Sequence, residues 1–103
     1  MQNKFLLYGA NGYTGRLIAS MASQFNLIPV LAGRNSAALK EMSSALSLEF
    51  VIVDLDDASA LEAILKKFPL VLHAAGPFKF TAKKMAQACL ATGVHYLDIT
   101  GEI

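Results

Sequence analysis

At 103 residues the chain is long enough for one domain and too short for two. It is 54% hydrophobic and 17% charged, a balance that fills a core and excludes disorder. A formal net charge of +1, with the basic residues scattered, excludes a strong field that would recruit nucleic acid or an anionic membrane surface.

No apolar run reaches the roughly 18 residues of a membrane span. The stretch Phe5-Leu6-Leu7-Tyr8 is cut off by Gly9 before it would serve as a secretory core. Cys89 is the single cysteine and has no internal disulfide partner. With no export signal, the expected compartment is the reducing cytoplasm.

Five apolar runs read as buried strands: Phe5 to Tyr8, residues 27–32, Phe50 to Val53, Leu70 to Ala75, and Val94 to Ile99. Pro29 is tolerated near the start of the second. Runs apolar at nearly every position are buried on both faces, as in a parallel sheet covered by helices. Between them the period becomes helical. Ile18, Met21, Ala22 and Phe25 form one stripe, and Leu39, Met42 and Leu46 a second. Leu61, Ile64, Leu65 and Phe68 form a third, and Ala82, Met85, Ala86 and Cys89 a fourth. Ser36, Asp57 or Ser59, and Thr81 are candidate N-caps, Ser59 to Glu62 fits a capping box, and Gly93 stands where the fourth helix should stop. The expected fold is α/β: a doubly wound parallel sheet of five strands alternating with four helices, with ligands at the carboxyl ends of the strands.

Gly9-Ala10-Asn11-Gly12-Tyr13-Thr14-Gly15 joins the first strand to the first helix. In this G-x-x-G-x-x-G pattern one glycine permits the turn. Another admits a pyrophosphate to the backbone, and Gly15 lets helix and strand pack closely. The helix start adds free amides and a partial positive charge. Asn11, Tyr13 and Thr14 share this turn; Thr14 offers a hydroxyl and Arg16 a nearby cation. No Gly-Lys-[Ser/Thr] follows, so a nucleoside-triphosphate P-loop is not supported.

Gly33-Arg34-Asn35 ends the second strand, about 20 residues beyond the turn, where an acidic residue selects NAD and an arginine accommodates the 2′-phosphate of NADP. No carboxylate occurs between Gly15 and Glu41. Arg34, with Ser36 as a helper, therefore favours NADP, with NAD possible. Asp54 and Leu55 end the third strand where they would border adenine, whereas Asp56 and Asp57 read better as helix caps.

Ala75, Gly76 and Pro77 follow the fourth strand and would let the ribose and nicotinamide side lie against bare backbone. Phe78 either packs on the nicotinamide or closes the core. His73 reads as a core histidine, and Asp98 and Glu102 either orient a substrate or serve the structure. No Tyr-x-x-x-Lys pair is present, so catalytic residues are not identified, and Cys89 and His95 form no metal set.

Four segments together resemble a family: Gly-Ala-Asn-Gly-Tyr-Thr-Gly at 9–15, Leu-Ala-Gly-Arg-Asn at 31–35, Ala-Ala-Gly-Pro-Phe at 74–78 and His-Tyr-Leu-Asp-Ile-Thr-Gly-Glu at 95–102. They are similar to the N-terminal domain of saccharopine dehydrogenase-like oxidoreductases, including the trans-acting enoyl reductase branch. His73 departs from the small or amide residue the family often has there. The resemblance implies a Rossmann domain that contacts NAD(P) through Gly9, Gly12, Gly15 and Arg34. It also implies a further substrate and dimerisation domain of about two hundred residues or more, so that residues 1–103 would be an N-terminal fragment, inactive alone. A small-molecule substrate would bind through that further domain, and the open sheet edge makes a homo-oligomer an expectation. The alternative is a non-catalytic, dinucleotide-sensing Rossmann regulator.

Overall fold

The computed structural model describes residues 3–74 and 78–98. Strands and helices alternate as expected: β1 (Lys4–Tyr8), α1 (Tyr13–Met21), β2 (Ile28–Gly33), α2 (Ser36–Leu46), β3 (Phe50–Ile52), α3 (Ala58–Leu65), β4 (Leu70–His73), α4 (Phe78–Thr92) and β5 (His95–Asp98). All pairings are parallel, in the order β3-β2-β1-β4-β5. The sheet is doubly wound: the chain runs outward through β2 and β3, then returns to the other side of β1. The carboxyl ends of β1 and β4 flank the point where the order reverses, and there a crevice opens.

The two faces have separate cores. Leu6, Tyr8, Val30, Ala32 and Val71 pack with Leu61, Leu65, Met85 and Cys89 on the side of α3 and α4. Phe5, Leu7 and Leu31 pack with Ala19, Leu39 and Met42 on the side of α1 and α2. Cys89 is buried, and its burial pushes the thiol pKa up, which suits a core residue. His73 is likewise buried, its ring 5.8 Å from that of Tyr8 and 6.1 Å from that of Tyr96.

Pro29 sits inside β2 at no cost in ladder bonds. The amide of Ile28 donates towards β1, to Asn3 O (2.9 Å), and that of Leu31 towards β3, to Glu49 O (2.9 Å). Proline at 29 therefore lacks its N–H on the β3 side, one step before that pairing begins at Leu31↔Phe50.

Several local expectations are corrected. The N-cap of α2 is Asn35, whose side chain accepts from the Ala38 amide (3.0 Å), and Ser36 is the first helical residue. Asp57, not Ser59, caps α3 through the Ala60 amide (3.1 Å), so Ser59 to Glu62 forms no capping box. Thr81 lies within α4, which begins at Phe78. The first stripe is half right. Ile18 and Ala22 turn inward, but Met21 and Phe25 are exposed. The helix tightens into a 3-10 turn at Ala22–Phe25, and the change of pitch rotates Phe25 off the buried face. Gly93 does end α4, with φ 74° and its amide donating to Cys89 O (2.8 Å).

Candidate functional site

At the carboxyl edge of the sheet a cleft of about 380 Å³ is lined by Tyr8, Gly9, Asn11 and Gly12 on one side and Gly33, Arg34, Asn35 and Ala74 on the other. Its floor is the end of β1. The Gly9 amide donates to Ala32 O (2.8 Å) and the Ala74 amide to Tyr8 O (2.8 Å), so the three central strands end together beneath it. Below the floor, Tyr8 Oη donates to Val53 O (3.0 Å). Burial, and then Asp54, raises the Tyr8 pKa, so this phenol is a neutral structural pin.

The three glycines of the turn have different physical reasons. Gly9 has φ 83°, a left-handed conformation that other residues adopt at a cost. At Gly15 a Cβ would stand 2.4 Å from Gly9 O and 2.7 Å from Ala10 Cα, so only glycine lets α1 pack this close to the turn. Gly12 has neither constraint. Its φ of −77° and ψ of 172° suit any residue, and a Cβ there would meet only Gly9 O, at 3.5 Å. The protein itself does not require glycine at position 12.

The helix start is open. The first intrahelical bond of α1 runs from the Arg16 amide to Gly12 O (2.9 Å), and no side chain caps the helix. Among the described residues the amides of Tyr13, Thr14 and Gly15 have no acceptor. Gly12 N–H is taken, by Gly9 O (3.1 Å). Arg16 turns its Nε back to Asn11 O (2.9 Å) and so braces the loop. Tyr13 is largely exposed, and Thr14 is half-buried.

Across the cleft Arg34 is exposed and makes no ion pair among the described residues. The Asn35 side chain is committed to capping α2. Asp54 is exposed beyond the cleft lining, and its Oδ1 accepts from the Asp56 amide (2.8 Å). Leu55 turns its side chain into the α3–α4 core. Ala75, Gly76, Pro77, Gly101 and Glu102 lie outside the described residues. Sequence reasoning missed one contact at this edge, the ion pair of Asp56 with Lys84 of α4.

A larger hollow of about 720 Å³ lies around the segments that lead into β3 and β4, lined by Leu48, Phe50, Ile64 and Phe68 among others. It is far from the glycine turn and offers no open helix start. Two of its polar side chains are already engaged, Ser43 with Leu48 O and Glu49 with Lys4 (3.5 Å). The smaller cleft is the candidate site. Among the described residues no group of three metal-ligating side chains gathers, and no helix is long and apolar enough to cross a membrane.

The model of the family described as the saccharopine dehydrogenase NADP binding domain matches residues 5–102. The chain belongs to that family. The saccharopine dehydrogenase NADP-binding domain is thus the unit in which this cleft occurs, and its cofactor is NADP. Its relatives are oxidoreductases. The chain is 32% identical over 105 residues to a trans-acting enoyl reductase of Mycobacterium leprae, covering 95% of this chain and 25% of that protein. It is 30% identical over 118 residues to a saccharopine dehydrogenase-like oxidoreductase of Rattus norvegicus, covering 96% and 28%. The chain thus spans about a quarter of the length of these relatives.

Solved structures agree on the fold. Saccharopine dehydrogenase (L-Glu forming) from Saccharomyces cerevisiae superposes with a TM-score of 0.78 at 20% identity, over 93% of this chain and 21% of that one. The NADPH complex of leucoanthocyanidin reductase from Vitis vinifera superposes with a TM-score of 0.76 at 20% identity, over 90% and 34%.

Proposed function

We propose that the cleft holds NADP(H) with its pyrophosphate at the start of α1 and its 2′-phosphate at Arg34. The observation that carries the reading is the pairing of an open helix start with a glycine, Gly12, that the fold does not require. The amides of Tyr13, Thr14 and Gly15 would donate to the diphosphate, favoured by the helix dipole. Gly9, Asn11 and Gly12 would form the wall it approaches. Arg34 would grip the 2′-phosphate with two parallel N–H bonds, and the Asn35 backbone would border the ribose. Asp54 and the backbone at Leu55 would flank the adenine. Ala75, Gly76 and Pro77 would adjoin the nicotinamide side.

When bound, the cofactor supplies hydride transfer at its nicotinamide. The residues of this chain bind and orient it. We propose that the substrate is a small molecule held by a further region of the kind that makes up most of each relative's length. Reduction of an enoyl group fits the name of the Mycobacterium leprae relative.

Calorimetric titration of the chain with NADPH and NADH tests the reading. The expected result is tighter binding of NADPH. Arg34→Ala should weaken NADPH binding by about 1.5–3 kcal/mol, the worth of hydrogen bonds to a charged group, and leave NADH nearly unchanged. Equal affinity of the unaltered chain for the two cofactors rules out the role given to Arg34.

A further inference from the structure

Four polar side chains line the cleft, from Tyr8, Asn11, Arg34 and Asn35. Two of them are committed to the protein. Tyr8 Oη donates to Val53 O (3.0 Å), and the Asn35 side chain accepts from the Ala38 amide (3.0 Å). Asn11 and Arg34 remain: among the described residues neither side chain makes a hydrogen bond or an ion pair. The two come from opposite walls, Asn11 from the turn after β1 and Arg34 from the end of β2, and both border Gly33. A Cβ built on Gly33 would stand 3.4 Å from Asn11 Oδ1, and Arg34 is the next residue along the chain. Among the described residues no carboxylate lines the cleft.

Folding does not explain asparagine at position 11. Asparagine suits turns because it tolerates a left-handed backbone, or because its side chain bonds to backbone nearby. Residue 11 uses neither property. Its φ is not positive, and its side chain bonds to no described backbone group. Yet the residue is firmly placed: it is half-buried, and its carbonyl accepts from Arg16 Nε (2.9 Å). We propose that Asn11 is a second specificity-determining residue for NADP over NAD, its side-chain amide donating to the 2′-phosphate from the wall opposite Arg34. The proposal rests on the reading of Arg34 given above. A neutral amide has two N–H donors to offer a phosphate. An aspartate of the same shape could only accept, and its charge would oppose a phosphate that carries about two negative charges. It would still accept from the free 2′-hydroxyl of NADH, as the acidic residue of NAD-selective domains does.

The test is calorimetric titration of the 103-residue chain with NADPH and with NADH, for Asn11→Asp, Asn11→Ala and Arg34→Ala. Asn11→Asp keeps the shape and adds one negative charge; it should weaken NADPH at least tenfold and leave NADH within about twofold or tighter. Asn11→Ala should weaken NADPH about three- to tenfold, the loss of one donor at a wet site, and leave NADH within about twofold. Equal weakening of the two cofactors by either variant, or an unchanged preference in both, would overturn the proposal; equal weakening would place Asn11 at the shared diphosphate instead. Failure of the underlying reading looks different: the unaltered chain shows no preference for NADPH, or Arg34→Ala leaves that preference intact. Thermal midpoints of both Asn11 variants should match that of the unaltered chain, since the side chain holds no protein group. A fallen midpoint in both would show that asparagine at this position serves the fold and would overturn the assignment.

Discussion

At the scale of single residues, the turn separates what folding demands from what a ligand demands. Gly15 answers to the fold, because every atom a Cβ would strike there is backbone: Gly9 O, Ala10 Cα and Ala10 O, all within 2.8 Å. None of them moves aside as a flexible side chain would. Gly15→Ala should therefore push α1 off the turn and destabilise the chain by about 1–3 kcal/mol, the usual cost of overpacking. In a domain of this size that lowers the melting temperature by at least about 4 °C. Gly12→Ala should leave stability within about 0.5 kcal/mol, since its backbone is extended and its nearest neighbour would lie at 3.5 Å. It should nevertheless weaken both NADPH and NADH at least tenfold, because the methyl group would occupy the wall a diphosphate approaches. Denaturant unfolding and calorimetry on the two variants read these effects apart. Normal cofactor binding by Gly12→Ala would show that the diphosphate does not approach at this position.

At the scale of elements, α2 ends on a residue poorly suited to its backbone. Ser47 caps it with φ 57° and ψ 44°, its amide donating to Ser43 O. A left-handed conformation costs a residue with a Cβ roughly 1–2 kcal/mol that glycine is spared, partly offset by the greater freedom glycine has when unfolded. Ser47→Gly should accordingly raise unfolding free energy by about 0.5–1 kcal/mol, measured in urea, with no change in cofactor affinity. Most elements were legible in the sequence because parallel strands buried on both faces leave uninterrupted apolar runs, as in Phe5 to Tyr8. Their boundaries were less so. Asn35 and Ser36 are both good caps, and only the exit of β2 at Gly33 sets which one is used. Phe25 read as core because a 3.6 period was carried through a stretch that tightens to a 3-10 turn. Of the candidate site, the glycine turn and Arg34 were legible because they follow directly on strands. The Lys84–Asp56 pair was not, because the packing of α3 on α4 creates it and no local pattern announces it.

At the scale of the whole molecule, the two faces of the sheet are covered unequally. One register row runs Phe50–Leu31–Leu7–Leu72–Leu97 across all five strands on the α1–α2 face. Its centre is sealed, with Leu31 and Leu7 fully buried, but Phe50 at one end is 37% exposed and Leu97 at the other 54%. The matching row on the opposite face, Val30–Leu6–Val71–Tyr96, stays buried or half-buried out to β5. Two helices thus cover β2 and β1 on one side, while α3 and α4 reach β5 on the other. Truncation along the first row should trace that coverage. Leu7→Ala and Leu31→Ala should each cost about 2–5 kcal/mol, because they remove buried methylenes and leave a cavity that backbone cannot close. Leu72→Ala should fall between, and Leu97→Ala should cost less than about 1 kcal/mol, since much of its surface already meets water. Urea unfolding of the four variants measures the series. A cost at Leu97 equal to that at Leu7 would mean that the β5 end of this face is covered in solution and is not open in the working protein.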